Sequence, residues 1–349
     1  MEEVRLEAYQ DSMFEAYAEF ALRQFGRGAY QATRRYLGWL YDDNPVGRPD
    51  GKRQDFIVCR QGEQVVGCIH KMRLRWRVKD EALEIPVLHN WMVAPEHRHG
   101  MGSLLLTAAF RGEAHALIPA SEGELVDMYR RLRCEEVPLS SYRRFLSPVR
   151  GGIRYLIAQG GKNHLFGPFR YQEVAREVTR RKDSEVGVAV EPSPQTIEIL
   201  AAAANRPGGD GAVRPDWTGG SFHWRFFHPR GPRHLLLQHV DDPGSFLILG
   251  AGDHRGLVVG RIIEVVCPDF DRFRALVEKA QEVLRALGAH VMLVYSADDW
   301  LNEMLARYGL RPLGDTHPAF FFHASSRARF GTVALHGSAI DYGFEALLS

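Results

Sequence analysis

Apolar residues recur along this chain in two periods, and the switches between them mark its elements. From Glu3 to Gln24 the apolar positions Met13, Tyr17, Phe20 and Ala21 fall near the 3.6-residue repeat and predict a helix. Thr33–Tyr41 predicts a second, short helix that stops at Asn44-Pro45. The period then drops to two. Asp55–Arg60 and Gln64–His70 flank the turn Gln61-Gly62-Glu63, which predicts a hairpin. Met72–Val78 sets Leu74, Trp76 and Val78 against Arg73, Arg75 and Arg77, and Leu83–Val93 is a longer extended run. Helix Ser103–Phe110, strand Ala116–Ile118, helix Glu122–Arg133 and an extended piece from Glu135 follow.

The later half repeats this order. Trp224-Arg225-Phe226 before His228-Pro229 matches Trp39-Leu40-Tyr41 before Asn44-Pro45. Strands His234–Val240, Phe246–Gly250 and Leu257–Val266 follow, then helix Phe273–Leu287, strand Val291–Val294 and helix Asp299–Tyr308. Phe320–His323 reads as a buried closing strand. The pattern is a duplicated β-β-β-α-β-α-β unit, with a period too long for a solenoid. Between the halves, Gly151-Gly152 and Gly160-Gly161 punctuate a connector that carries a basic helix over Phe169–Lys182. Asn205–Gly220 reads as a loop. The division expected is 1–148, a connector at 149–185, and 186–349.

Composition narrows the class. The 349 residues are 45% hydrophobic and 25% charged, which excludes disordered, collagen-like and coiled-coil proteins. The 44 basic and 43 acidic residues leave a net charge of +1 and form no sustained basic stripe, which argues against a nucleic-acid partner. No apolar run approaches the roughly 20 residues of a membrane span. The opening Met1-Glu2-Glu3-Val4-Arg5 does not read as a signal peptide. Cys59, Cys68, Cys134 and Cys267 form no CxxC pair and suit buried thiols in a reducing cytoplasm, the expected location.

One segment carries chemistry. Val93-Ala94-Pro95-Glu96-His97-Arg98-His99-Gly100-Met101-Gly102-Ser103 takes the chain from a strand through a glycine turn into a helix. Backbone N–H groups of such a turn, with the helix N-terminus behind them, suit a pyrophosphate. The glycines at 100 and 102 lack Cβ and let a phosphate approach the backbone. The spacing is not that of a P-loop, and the third glycine of the dinucleotide fingerprint is missing. His97 and His99 beside Glu96 do not read as a metal site, because adjacent side chains in a turn seldom converge.

These residues resemble the GNAT superfamily of acyl-CoA-dependent N-acyltransferases, whose Gln/Arg-x-x-Gly-x-Gly/Ala loop follows a strand ending Val-x-Pro. Here Val93-x-Pro95 precedes the loop, and the interval to the first glycine is one residue shorter, so His97 or Arg98 fills the basic first position. Met128-Tyr129-Arg130-Arg131-Leu132-Arg133-Cys134 is similar to the family's Leu-Tyr-x-x-Leu-Gly-Phe. The resemblance covers about residues 55–145. It implies an α/β fold of tandem GNAT-like domains, each a mixed, mostly antiparallel sheet flanked by helices, as in mycothiol synthase-like members. The Trp-Arg-Phe…His-Pro block also resembles tandem members that accompany polysaccharide gene sets.

The later half resembles the same fold without its chemistry. Cys267-Pro268-Asp269-Phe270-Asp271 stands where the loop would be and adds two carboxylates, and Leu305 matches Tyr129. The resemblance implies transfer of an acyl group, acetyl from acetyl-CoA, to an amine of a small molecule or sugar by direct attack. An O-acyl acceptor, a longer acyl chain or carrier-protein donor, and a non-catalytic acyl-CoA-binding module are the alternatives. Trp91, Met92, Val93, Arg98, His99, Gly100, Met101, Gly102 and Ser103 are the expected coenzyme contacts, and Tyr129 the expected acid for the departing thiolate. A base must take a proton from the amine. His89 is the candidate, as in the similar aralkylamine N-acetyltransferases, and Glu84 the second. Strict alternation puts His89, Trp91 and Val93 on one strand face and Glu84, Leu88, Asn90 and Met92 on the other. Arg73, Arg75 and Arg77 read as a solvated face or as a seat for an acidic acceptor or the coenzyme 3′-phosphate.

Overall fold

The computed structural model describes residues 3–26, 29–47, 52–78, 81–119, 124–147, 171–179, 185–205, 213–254, 257–313 and 319–324. The connector glycines and residues 206–212 of the expected loop lie outside these residues. Two mixed sheets form the fold. The first has the strand order β1 (Val4–Ala8), β2 (Phe56–Gln61), β3 (Gln64–Val78), β4 (Glu81–Val93), β5 (His115–Ile118), β14 (Ala319–His323), β6 (Glu135–Val137). A short strand, β9 (Arg214–Pro215), pairs with the far half of β3. The second runs β7 (Ser140–Phe145), β13 (Val291–Ser296), β12 (Leu257–Val266), β11 (Phe246–His254), β10 (Leu235–His239), β8 (Val186–Ala189). Each sheet is antiparallel except at one place, β4 beside β5 and β12 beside β13.

Nine helices are seen among the described residues: α1 (Phe14–Phe25), α2 (Arg34–Leu37), α3 (Arg98–Phe110), α4 (Glu124–Arg131), α5 (Tyr171–Thr179), α6 (Pro194–Ala204), α7 (Gly219–Phe227), α8 (Phe270–Ala286) and α9 (Asp299–Arg307). None is long and apolar enough to cross a membrane. The helix expected over Glu3–Gln24 is instead strand β1 followed by α1. Val4–Ala8 pairs antiparallel with Ile57–Gln61, and its short alternation serves an edge strand. Thr33 caps α2 through its side chain, which accepts from the Tyr36 N–H, and the chain continues as a wider turn to Asp42. The expected strands Gln64–His70 and Met72–Val78 are one 15-residue strand, β3.

The repeated order of elements is present in the structure. The order β1, α1, α2, β2, β3, β4, α3, β5, α4 is answered by β8, α6, α7, β10, β11, β12, α8, β13, α9. The sheets are not assembled strictly from the two sequence halves, however. β7, from the first half, pairs with β13 in the second sheet, while β14, near the end, sits between β5 and β6 of the first. Each half thus lends one strand to the other.

At the junction Trp39 and Trp224, the repeated tryptophans, stack with ring centroids 5.3 Å apart. Trp39 Nε1 donates to the Trp224 carbonyl at 3.0 Å, and Trp224 Nε1 donates to the Trp39 carbonyl at 2.7 Å. The contact is self-complementary, as across a two-fold axis. One apolar core extends from Tyr17, Phe56 and Trp76 through Trp39 and Trp224 to Phe246 and Ile248 of the second sheet. A second core lies on that sheet's other face, under α8 and α9.

We expect Trp39→Ala and Trp224→Ala each to lose about 3–5 kcal/mol, as for other buried large-to-small changes. Because each residue is the other's partner, the double variant should lose less than the sum. Urea unfolding should show one transition for both halves, since separating them breaks strand ladders. Two separate transitions, or additive losses, would contradict this.

Candidate active site

The site is organised by a register fault. Cys68 pairs with Met92 and His70 with His89, so Asn90 and Trp91 of β4 stand opposite the single residue Ile69. Asn90 has φ 46°, in the left-handed region, and the strand bulges there. The bulge corrects the facing expected from alternation. His89 and Met92 share the side of His70 and Cys68, toward α1 and α2. Trp91 and Val93 turn to the α3 side with Gly67, whose added Cβ would lie 3.0 Å from Leu105. Glu84 is exposed, opposite Arg75, and five residues from His89, or about 16 Å along the strand. β4 and β5 share the pair Val87–Leu117, and β5 ends at Ile118, whereas β4 runs on to Val93. The bulged end of β4 therefore extends past its parallel neighbour.

The turn into α3 follows. Pro95–His97 make a single 3₁₀ turn. His99 (ψ 93°) and Gly100 (φ 84°, ψ −22°) then leave helical geometry, so the regular helix begins at Met101. N–H groups of its first turn lack intrahelical acceptors. Arg98, His99, Gly100 and Ser103 are exposed, and Met101 and Gly102 half-buried. The two glycines serve different ends. Gly100 is needed for its positive φ and has open space around it. Gly102 is needed for packing, because an added Cβ would lie 3.0 Å from Trp91 Cζ2. The indole, rather than an approaching phosphate, accounts for the second glycine. Trp91 also faces Tyr129 at 6.4 Å between ring centroids. Tyr129 is buried on α4 and backed by Phe320 of β14 at 5.1 Å.

His89 lies across the sheet from that group, buried among polar aromatic side chains. Its Nδ1 is 3.3 Å from Tyr36 Oη, and Asn90 Nδ2 donates to the same hydroxyl at 2.6 Å. Burial, and after it the charge of Arg225 from α7, brings the His89 pKa down to about 3. Beside it, at 5.3 Å, is the ring of His70, which is stacked on Phe56 and bonded to Tyr41 at 2.8 Å and Tyr17 at 3.2 Å. Burial and the neighbouring His89 hold His70 well below the usual histidine range. The expected residues therefore form two groups, Trp91, Gly102 and Tyr129 on one side and His89 on the other, with Glu84 apart from both.

Tyr36, Asn90, Arg225 and Phe320 were missed as site residues. Asn90, a poor strand former inside a strand, was the one available signal.

The arginine row is committed internally. Arg73 is buried against Asp55 and Glu113, each at 2.7 Å, beside Lys71. Arg75 and Arg77 hold the buried Asp216 at 2.8 and 2.7 Å. In the second half, the side chain of Asp269 accepts the Arg272 N–H at 2.9 Å and caps α8. That N–H is the main cause holding the Asp269 carboxyl below its usual range. A carboxylate at this helix start meets one of its N–H donors and adds negative charge that opposes a phosphate. Leu305 there is buried in the second core.

Histidines kept neutral by burial make stability depend on pH. Below about pH 6.5 the unfolded chain binds protons that folded His89 and His70 refuse, so stability falls as pH falls, by at most about 1.4 kcal/mol per pH unit for each. Thermal unfolding between pH 6.5 and 5 should show this slope, and His89→Gln should flatten it. An unchanged slope would reject the assignment.

Residues 7–132 match the family model described as an acetyltransferase (GNAT) domain. Comparison with curated proteins gives no match. Among solved structures, Saccharomyces cerevisiae N-myristoyltransferase with bound myristoyl-CoA is similar at TM-score 0.64 and 12% identity, over 93% of this chain and 79% of that one. A second structure of that enzyme with myristoyl-CoA gives 0.63 and 12%, over 92% and 83%. Eis1 from Mycobacterium abscessus aligns at 0.47 and 15%, over 92% and 73%. The chain carries a domain of the GNAT acetyltransferase family, and its two mixed sheets follow the tandem GNAT-like architecture.

Proposed function

We propose that the protein transfers an acetyl group from acetyl-CoA to an amine of a small molecule or sugar, in a ternary complex without an acyl-enzyme. The observation that carries this is the turn at Gly100, which presents the start of α3 beside the bulged end of β4 and Tyr129. In this reading Arg98–Ser103 receive the diphosphate, with first-turn N–H groups as donors. The backbone of Trp91–Val93 holds the pantetheine arm and polarises the thioester carbonyl. The amine attacks, its C–N bond forms as the C–S bond breaks, His89 takes the amine proton and Tyr129 protonates the thiolate. Burial keeps His89 unprotonated at neutral pH and at the same time makes it a weaker base than a free histidine. The second half supports the site from behind, through Phe320 at Tyr129 and Arg225 near His89. The four cysteines are free among the described residues, which suits a cytoplasmic setting.

A second reading, a longer acyl group, is raised by the likeness of nearly the whole chain to a structure solved with myristoyl-CoA. At 12% identity that likeness speaks for the fold. A chain-length series of acyl-CoA substrates separates the two readings.

Calorimetric titration tests the proposal. Acetyl-CoA should bind at one site per chain, and Gly100→Glu should weaken it at least tenfold, about 1.4 kcal/mol. Gly100→Ala, which shares the positive-φ strain but adds no charge, should weaken it less. Failure to bind any acyl-CoA would end the transferase reading. With an amine acceptor, His89→Ala should lower kcat/KM by about 10²-fold or more while sparing acetyl-CoA affinity. The parent's pH profile should show no inflection near 6.5, because the folded His89 titrates near 3.

A further inference from the structure

Trp91 is the residue the bulge treats most unusually. Its backbone lies in β4, but the register fault at Asn90 swings its side chain to the α3 face. The indole rests on Gly102, with Nε1 3.8 Å from where a Cβ would stand. That N–H is buried and meets no hydrogen-bond acceptor among the described residues. An indole N–H can only donate, and a buried donor without an acceptor is destabilising. Tryptophan in such a place is normally paired. A phenylalanine, though smaller, would keep an aromatic ring against Gly102 without that penalty.

We propose that the Trp91 Nε1–H is a coenzyme-binding donor, seated by Gly102 and satisfied when an acceptor oxygen of the CoA arm settles at the bulged end of β4 beside the start of α3. This rests on the coenzyme reading above and adds a side-chain contact to it. Gly102 acts through the indole, as a positioning residue. A donor that waits for its ligand leaves a signature opposite to that of a packing residue. Removing the N–H should spare or improve the ligand-free protein and harm only the complex.

The test is calorimetry of acetyl-CoA and of CoA with the full-length protein and Trp91→Phe, beside thermal unfolding without ligand. We expect five- to fifty-fold weaker binding of both ligands, with the ligand-free Tm unchanged or higher. Gly102→Ala, whose methyl would displace the indole, should weaken binding in the parent and have little further effect in the Trp91→Phe background. That pair also decides the matter if Trp91→Phe alone folds poorly. If the parent binds neither ligand, the coenzyme reading itself fails and the inference with it. If the parent binds and Trp91→Phe binds within twofold of it, or loses Tm in step with affinity, the inference alone is overturned.

Discussion

Asn90 and Trp91 occupy the space that β3 fills with one residue, and the facing of the candidate site's side chains depends on that mismatch. A strand without the fault would put His89 and Trp91 on the same face. With it, one short stretch of β4 presents a histidine toward α1 and α2 and an indole toward α3 within three residues. The extra residue also interrupts the ladder to β3, which frees backbone groups where β4 has already outrun β5. A left-handed asparagine is what the fault requires, and its amide is tied to Tyr36, so the local strain is held by a side-chain bond.

The two halves are joined by exchange rather than by contact alone. Each gives a strand to the other's sheet, and the two tryptophans bond reciprocally at the junction. This has consequences for the site. Phe320, far along the chain, stands behind Tyr129, and the charge of Arg225 falls on His89. The second half shapes the first half's site both sterically and electrostatically.

The halves have diverged at their helix starts by a change with a clear physical sense. A helix N-terminus carries partial positive charge and unpaired donors, and some acceptor must meet them. In α8 the chain supplies its own, Asp269. In α3 the N-cap residue His97 makes no side-chain cap bond, and Gly100 has open space around it. The equivalent helix starts thus have opposite solutions, an uncapped glycine turn in one half and a capping carboxylate in the other.

Much of this was legible in the chain. The hydrophobic periods located the repeated strands and helices, and Val93-x-Pro95 with Gly100, Gly102 and Tyr129 marked the loop and its family, because local backbone geometry demands particular residue types at fixed spacing. The edge strand Val4–Ala8 was misread as helix, since five alternating residues fit either period. Side-chain facing beyond Asn90 was misread too, because one inserted residue inverts a period of two. Sequence determined the elements, the duplication and the glycine turn, all of which are set by neighbours in the chain. Tertiary structure alone decided which sheet receives β7 and β14, which carboxylates claim Arg73, Arg75 and Arg77, and how far burial lowers His89. Partner choice and desolvation depend on what lies across the fold, and no local pattern encodes it.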